Sequence, residues 1–358
     1  MKNLLWLVVC LLGWSHSYAM KVGSETDDLD LSLWIQPADT ALFVKDSHYY
    51  NWCNSVIRDE TGIYHLFYAR WPKNVGFYSW LTHSEIAHAI SDKPEGPYRN
   101  AETILSARPG EWDCVAMYNV QVRKFGDKYY LYYTSTNSGS LSCSAETLEE
   151  IGKTGYAHKY WGILRSNQRS GVAVASSLWG PWQRRALSLV EPEKPIWTVA
   201  VNPSVCQGED NHYYLIVKGD DNPTPHHRAI QAVAVSETPE GPFVFENRPA
   251  FDDIPTEDVC VWYDWTRHRF YALFHAHGGN FIGMITSEDG RQWVKARHYE
   301  VCKKEIRLKD GTTMKVERME RPFVYCENGL PAMLSFGVKK GNDAFIVFYR
   351  LKNPISSR

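Results

Sequence analysis

The sequence predicts an all-β protein, a five-bladed β-propeller whose blades are four-stranded antiparallel sheets. A strand–turn–strand unit recurs five times along the chain, a Gly/Pro turn follows four of these units, and amphipathic helix periodicity is nearly absent. Repetition of a supersecondary unit at a regular spacing is typical of radial or stacked architectures, and short antiparallel sheets arranged radially form propellers. A β-sandwich is the alternative, although sandwiches rarely reuse one turn motif so regularly.

Each of the five units opens with a polar residue and a β-branched run, and then continues after a turn into an aromatic-rich strand. This composition is typical of β-hairpins. The paired segments are 54–57 with 64–68, 119–122 with 129–133, 202–205 with 213–217, 257–261 with 270–274, and 321–324 with 332–336. They predict the first and second strands of five blades.

Third and fourth strands are predicted after the first four hairpins. The third-strand segments are 86–91, 171–176, 230–236 and 281–287, and each runs into a glycine-containing turn with an aromatic residue. In the fifth unit, 344–348 is the available third strand, and the N-terminal segment 33–44 is expected to complete that blade and close the ring.

A short helix is expected at 145–151. It lies in an insertion at 137–166, which with a second insertion at 298–318 is expected to cover the functional face.

The N-terminus predicts an export signal. Met1 to Asn3 is a short positive start, an apolar run follows at 4–12, and small residues precede a cleavage site after Ala19. We therefore expect residues 1–19 to be a signal peptide, residues 20–358 to form a single propeller catalytic domain, and the mature protein to be secreted or periplasmic.

Composition narrows the class of partner. The 358 residues carry a formal net charge of −2 and no basic run, which argues against a nucleic acid or an anionic membrane, because both require clustered Lys and Arg. Seven cysteines remain after the predicted cleavage and none forms a CxxC pair, so no zinc site of that type is expected. We assign no cofactor and no metal.

In a propeller the first strand of each blade is innermost, and its start lies at the mouth of a central funnel. The residues expected there are polar or charged in every unit: Trp52 and Asn54, Asn119 and Gln121, Asn202, Glu257 and Asp258, and Glu320 and Arg321. Unpaired charge is costly to bury. The set therefore predicts a binding pocket, with a mutually paired structural cluster as the alternative.

Carboxylates in such a funnel suit glycoside cleavage, which needs a proton donor and a second carboxylate. Glu257 is the predicted donor, because the funnel and the adjacent Asp258 would raise its pKa. Asp113, just before the second unit, is our first choice for the second carboxylate. Glu85 is the second choice, and a structural ion pair between Glu85 and Arg70 is its alternative.

Further residues are candidates for binding sugar. His275 and His277 alternate along one strand and so face the same side. Two histidines alone are a weak metal signal, so His277 is expected to bind sugar, to transfer a proton or to be structural. Arg321 is expected to anchor a carboxylate or sulfate, or to form a salt bridge with a neighbouring Glu. Three tryptophans near strand ends are expected to stack on sugar faces: Trp52, Trp71 and Trp112.

The segments 52–55, 67–73, 84–85, 112–113, 257–258 and 320–322 resemble secreted bacterial proteins of the family 43 and family 117 glycoside hydrolase type. The resemblance extends over nearly the whole mature chain and implies a five-bladed propeller. In family 43 the first strand of the fourth blade opens with the general acid, and Glu257 stands at the matching place.

This chain departs from the family 43 pattern at two positions. Cys53-Asn54 stands where the family has the aspartate base, and Gln121 stands where a second aspartate tunes the acid. Another carboxylate, such as Asp113, is then needed, and related families with a histidine acid keep His277 as a candidate.

The expected function is a secreted, exo-acting glycoside hydrolase that cleaves O-glycosidic bonds of an oligo- or polysaccharide. One alternative is a non-catalytic carbohydrate-binding propeller, which the missing first-unit aspartate favours. Another is a glycoside phosphorylase, in which Arg70 and Arg321 would be the cations available to bind phosphate.

Overall fold

The strands form antiparallel sheets in the order of the sequence. The structure, a computed structural model, describes residues 26–353. Within that range the strands are β1 (Tyr49–Arg58), β2 (Tyr64–Pro72), β3 (Glu85–Ser91), β4 (Arg99–Leu105), β5 (Ala116–Phe125), β6 (Lys128–Thr136), β7 (Gln168–Ala175), β8 (Gln183–Arg184), β9 (Trp197–Gln207), β10 (Tyr213–Asp220), β11 (Ala229–Ser236), β12 (Val244–Phe251), β13 (Thr256–Asp264), β14 (Arg269–Ala276), β15 (Phe281–Ser287), β16 (Val294–Lys303), β17 (Glu305–Arg307), β18 (Thr313–Lys315), β19 (Arg318–Glu327), β20 (Leu330–Lys340) and β21 (Asp343–Arg350).

These strands pair with their sequence neighbours. β1–β4 and β13–β16 are four-stranded antiparallel sheets, and β19–β21 is three-stranded. β5–β8 and β9–β12 are each antiparallel internally and are joined by one parallel pairing, between Arg169 of β7 and Ala200 of β9. The predicted all-β class with four-stranded antiparallel sheets is confirmed.

The N-terminal segment lies along the outer edge of β21. Val44 and Ile346 exchange two backbone hydrogen bonds of 3.1 Å, and Ile35 pairs with Leu351. This covers the otherwise unpaired edge of the three-stranded sheet, at the place where segment 33–44 was predicted to complete the fifth unit.

The first strands of successive groups contact one another in a cycle. β1 contacts β5, β5 contacts β9, β9 contacts β13, β13 contacts β19, and β19 contacts β1. Buried hydrogen bonds link them near the centre: Gln121 donates to Ser204 Oγ (2.7 Å) and accepts from the backbone amide of Val205 (2.6 Å). Gln121 therefore has a structural role, since buried polar groups require such partners.

The hydrophobic core lies between the sheets. The largest cluster packs β1–β4, β13–β16 and β19–β21 together through residues such as Leu66, Leu273 and Phe336, all fully buried. Close packing of neighbouring sheets on their apolar faces holds the first strands around a common centre.

The helices are α1 (Trp80–His83), α2 (Ala145–Thr154) and α3 (Trp161–Ser166). α2 confirms the helix predicted at 145–151, and it begins at Ser144, whose hydroxyl accepts a 3.2 Å bond from the Thr147 amide. Among residues 26–353, no helix is long and apolar enough to span a membrane. The predicted signal peptide lies outside the described residues.

The two predicted insertions lie at different places. α2 and α3 pack on α1 through Leu81, Ile151 and Leu164, at the mouth of the cavity described below. Segment 298–318 instead packs on the N-terminal segment, where Ala38 pairs with Leu308.

Candidate active site

Each of the five first strands carries a β-bulge at an equivalent place. The strand register shifts there. One residue of each bulge has a left-handed backbone: Cys53 (φ 32°), Asn119 (56°), Asn202 (61°), Asp258 (65°) and Arg321 (59°). Asn and Asp tolerate this conformation better than other non-glycine residues. Bulges redirect side chains and are common beside active sites.

The bulges surround a cavity of about 480 Å³, which is within the range of small-molecule sites. Its lining includes residues of all five first strands. On two consecutive first strands, β13 and β19, the residue just before the left-handed position is a glutamate. These residues are Glu257 and Glu320, and both line the cavity.

Glu257 is held in its ionised form. Lys218 of β10 places its Nζ 2.9 Å from Glu257 Oε1. Burial alone would raise the pKa of Glu257, but the charge of Lys218, followed by those of Arg165, His275 and His277, outweighs burial and lowers it. The predicted rise in the pKa of Glu257 is therefore wrong, because a buried lysine from the neighbouring sheet reverses the effect of burial.

Glu320 is the carboxyl group with the opposite shift. Burial raises its pKa, the negative charges of Asp258 and Glu257 raise it further, and His275 and Arg318 only partly oppose them. Arg318 Nη1 lies 3.6 Å from Glu320 Oε1. Two carboxyl groups whose pKa values are pushed apart are the arrangement that separates a proton donor from a carboxylate base or nucleophile.

A chain of hydrogen bonds forms the floor of the cavity. Asn119 Nδ2 donates to Asn202 Oδ1 (2.7 Å), and Asn202 Nδ2 donates to Asp258 Oδ1 (3.1 Å). Asp258 also pairs with Arg321 Nη1 at 2.9 Å. His275 Nδ1 lies 3.3 Å from Asp258 Oδ2. Asp258 thus orients three neighbours beneath the two glutamates.

This arrangement favours the protonated, charged form of His275. Burial alone would lower its pKa, but the bond to Asp258, the charge of Asp258 and, when it is ionised, the charge of Glu320 outweigh burial and raise it. A protonated His275 stabilises negative charge on the neighbouring carboxyl groups.

Glu257, Asp258 and His275 also form the one group of potential metal ligands found among residues 26–353, with ligand atoms within 4.8 Å of one another. Both carboxylates are already paired with protein cations, Lys218 and Arg321, at 2.9 Å. These cations supply the positive charge that a divalent ion would bring, and we assign no metal here.

Asp113 lies away from the cavity. It is completely buried, with Arg108 Nε at 2.7 Å and Arg184 Nη1 at 3.2 Å from its oxygens, and Tyr133 donates a 3.1 Å hydrogen bond to it. A carboxylate saturated with partners and outside the cavity has no path to substrate. This position corrects the expectation that Asp113 is the second catalytic carboxylate.

Two other predicted residues form a pair outside the cavity. Arg70 Nε lies 2.8 Å from Glu85 Oε1, directly across β2 and β3. Arg70 also stacks on the Tyr49 ring, and Glu85 accepts a hydrogen bond from Thr103. This is the structural ion pair held open as an alternative, and it removes both residues from the substrate-binding set.

Asn54 does not line the main cavity. It accepts a 2.7 Å hydrogen bond from Ser335 on β20. The residue equivalent to Asn119 and Asn202 is Cys53, not Asn54, and a slip of one residue along a strand reverses the direction of the side chain.

The remaining predicted binding residues do line the cavity. They are Trp52, Trp71, Asn119, Asn202, His277 and Arg321, together with Glu257, and Asp258 lies just beneath them. Trp112 instead stacks on Tyr133 beside Asp113.

Sequence reasoning missed several lining residues: Trp80, Tyr156, Trp161, Arg165, Lys218 and Glu320 as a catalytic candidate. The sequence contained a signal for Glu320: it stands directly before Arg321 in the fifth unit, just as Glu257 stands directly before Asp258 in the fourth. Lys218, at the end of the apolar run 213–217, was a second signal, since lysine is rarely buried without a partner.

Solved structures with the same architecture span almost the whole chain. A family 117 glycoside hydrolase, Zg3597 from the marine bacterium Zobellia galactanivorans, matches 91% of this chain and 94% of its own, with a TM-score of 0.61 and 15% identity. This chain has the propeller fold of the family 43 and family 117 glycoside hydrolases. No family model and no curated protein matches the sequence.

Two further structures are similar over comparable lengths. The α-L-arabinofuranosidase of Lactobacillus brevis matches 91% of this chain and 96% of its own, with a TM-score of 0.56 and 13% identity. The family 43 enzyme of Xanthomonas citri, solved with xylotriose, matches 90% and 92%, with a TM-score of 0.55 and 13% identity. The predicted fold resemblance is confirmed.

Proposed function

We propose that this protein is a glycoside hydrolase built on five blades, which cleaves O-glycosidic bonds of an oligo- or polysaccharide. The observation that carries the proposal is the pair of cavity glutamates whose pKa values are shifted in opposite directions, Glu257 downward and Glu320 upward. The cyclic contacts of five first strands support the blade count.

In this mechanism Glu320 protonates the departing glycosidic oxygen. Its raised pKa favours the protonated form, as a general acid requires. Glu257, kept ionised by Lys218, either activates water or attacks the anomeric carbon. This assignment exchanges the roles implied by the family resemblance, in which Glu257 is the acid.

The cavity walls suit a carbohydrate. Trp80 and Tyr156 present apolar ring surface, whereas Trp71 is only 1% exposed, and aromatic faces stack on the apolar face of a sugar. Asn119 and Asn202 offer amide groups for hydroxyls. A cavity at the meeting point of the first strands favours attack at chain ends, and we propose exo-action and export from the cytoplasm together with the activity.

The test compares Glu320→Gln and Glu257→Gln on two kinds of substrate. On unactivated oligosaccharides each variant is expected to lose about 10²- to 10⁴-fold in kcat. On 2,4-dinitrophenyl glycosides, whose leaving group departs without a proton, Glu320→Gln is expected to retain most of the wild-type rate. Glu257→Gln is expected to remain inactive on both.

The matched control is Glu85→Gln, a glutamate outside the cavity, which is expected to keep wild-type rates. The reverse pattern, in which Glu257→Gln is rescued by the activated leaving group, would assign the acid to Glu257. Wild-type protein that binds glycans and cleaves none across a broad panel would make it a non-catalytic binding propeller.

A further inference from the structure

Arg165 differs from the other cations of the cavity. It lies on α3, its guanidinium lines the cavity, and it stacks 5.4 Å from the ring centre of Trp80. Its hydrogen-bond partner is the neutral side-chain oxygen of Gln168. Within residues 26–353, no carboxylate oxygen lies within 4.0 Å of it.

The other cations already have carboxyl partners. Lys218 pairs with Glu257 and Arg321 pairs with Asp258, both at 2.9 Å, and Arg318 lies 3.6 Å from Glu320. An unpaired charge in a partly enclosed site is costly unless a solvent molecule or a ligand meets it. Arg165 is therefore positioned to receive an anion from outside the chain.

The surroundings of Arg165 reinforce this preference. Burial lowers the pKa of His226, and the nearby charges of Arg165 and Lys218 lower it further. Two acids lie on this side: Asp220, which accepts a 3.0 Å bond from the His226 amide, and Glu257, which Lys218 already pairs and whose pKa the charge of Arg165 helps to lower. Trp161 on the same helix adds aromatic surface to the cavity.

We propose that Arg165 binds the carboxylate or sulfate of an acidic sugar unit, so that the substrate is an acidic glycan. The planar guanidinium fork matches both groups and holds them through two parallel hydrogen bonds. The aromatic rings beside it contact the sugar ring that carries the anion. This inference rests on the proposed function, because the unit bound by Arg165 is part of the glycan to be cleaved.

The test measures binding, so that it does not depend on turnover. Isothermal titration calorimetry compares galacturonic acid and glucuronic acid with galactose and glucose, and galactose 6-sulfate separates sulfate from carboxylate as the anion. The acidic sugars are expected to bind at least about 10-fold more tightly than their neutral counterparts. Arg165→Gln is expected to abolish this preference, a loss of about 10- to 100-fold for the acidic sugars, with neutral sugars little affected.

Two further variants make the result interpretable. Arg165→Lys keeps the charge without the fork and is expected to restore part of the preference. Arg99→Gln, which removes an arginine paired with Asp92 outside the cavity, is expected to change nothing. If neither acid binds more tightly than galactose or glucose, or if Arg165→Gln leaves the preference intact, the inference is overturned.

The outcomes for the inference and for the proposed function are separable. Arg165-dependent binding of acidic sugars without hydrolysis of any glycan would overturn only the hydrolase. Hydrolysis of neutral glycans without preference for acidic sugars would overturn only the inference. Turnover that requires inorganic phosphate, with a KM for phosphate that rises in Arg165→Gln, would identify phosphate as the anion and overturn the inference in favour of phosphorolysis.

Discussion

Two acidic clusters in this molecule, the one around Asp113 and the one formed by Glu257 and Glu320, differ in burial and in their partners. Asp113 is surrounded by Arg108, Arg184 and the hydroxyl of Tyr133 and does not line the cavity of the first strands. Glu257 and Glu320 face a shared cavity, where one has a close lysine and the other has its nearest arginine at 3.6 Å. Only the second cluster has carboxyl groups open to a ligand.

The difference shows how a carboxylate with a structural role can be distinguished from one that can take part in catalysis. Asp113 is fully buried and both of its oxygens already have partners, so it has no free oxygen to offer a ligand. Incomplete and unequal pairing shifts two neighbouring pKa values in opposite directions, as acid–base chemistry requires. Exposure agrees with this distinction, because the side chain of Asp113 is 0% exposed and those of Glu257 and Glu320 are 21% and 18% exposed.

The largest expected effect tests the structural side of this comparison. Asp113→Asn leaves two arginines without their carboxylate, and we expect the free energy of unfolding to fall by about 3–5 kcal/mol, measured by urea denaturation. The kcat of the folded variant should stay at the wild-type value. A variant with normal stability and no activity would show that Asp113 is catalytic, and the two clusters would then not differ in function. Asp92→Asn, at an exposed pair, is the control.

The second prediction tests the functional side through pH. Lys218→Met removes the charge that lowers the pKa of Glu257, so this pKa rises. Because Glu257 must be ionised, the acidic limb of the kcat/KM profile should move to higher pH, by about 1 to 3 units. The alkaline limb, set by loss of the Glu320 proton, should move less. Lys153→Met on α2 is the exposed control, and a shift of the alkaline limb alone would assign the acid to Glu257.

The smallest effect is expected at the cross-strand pair of Arg70 and Glu85. Glu85→Gln removes a partly exposed ion pair and should lower the free energy of unfolding by no more than about 1 kcal/mol. Thermal unfolding and glycoside turnover measured on the same sample check this. A large fall in turnover at unchanged stability would return Glu85 to the list of catalytic carboxylates.

Local sequence was sufficient for the hairpins. The predicted segments 54–57 and 64–68 lie inside β1 and β2, and the other four pairs lie inside their strands in the same way. The real first strands begin earlier, at Tyr49, Ala116, Trp197, Thr256 and Arg318, so that the bulge falls inside each strand. A bulge has no hydrophobic alternation to reveal it, which is why Asn54 was placed one residue out of register with Asn119.

The candidate site was predictable only in part. Repetition of the unit placed Glu257, Asn119, Asn202 and Arg321 at one end of the first strands, and they do line one cavity. Asp113 was misplaced because the arginines that saturate it are not marked in the sequence as its partners. Arg165 belongs to a helix whose position over the cavity depends on packing against α1 and α2.

By itself, the sequence determined the all-β class, the order of the hairpins and the convergence of polar residues at one end of the first strands. These follow from local propensity and from repetition, both of which are readable residue by residue. Only the tertiary structure decided which of the two glutamate pKa values is raised and which is lowered. Protonation depends on the distance to charges such as those of Lys218 and Asp258, and that distance is set by the packing of neighbouring sheets.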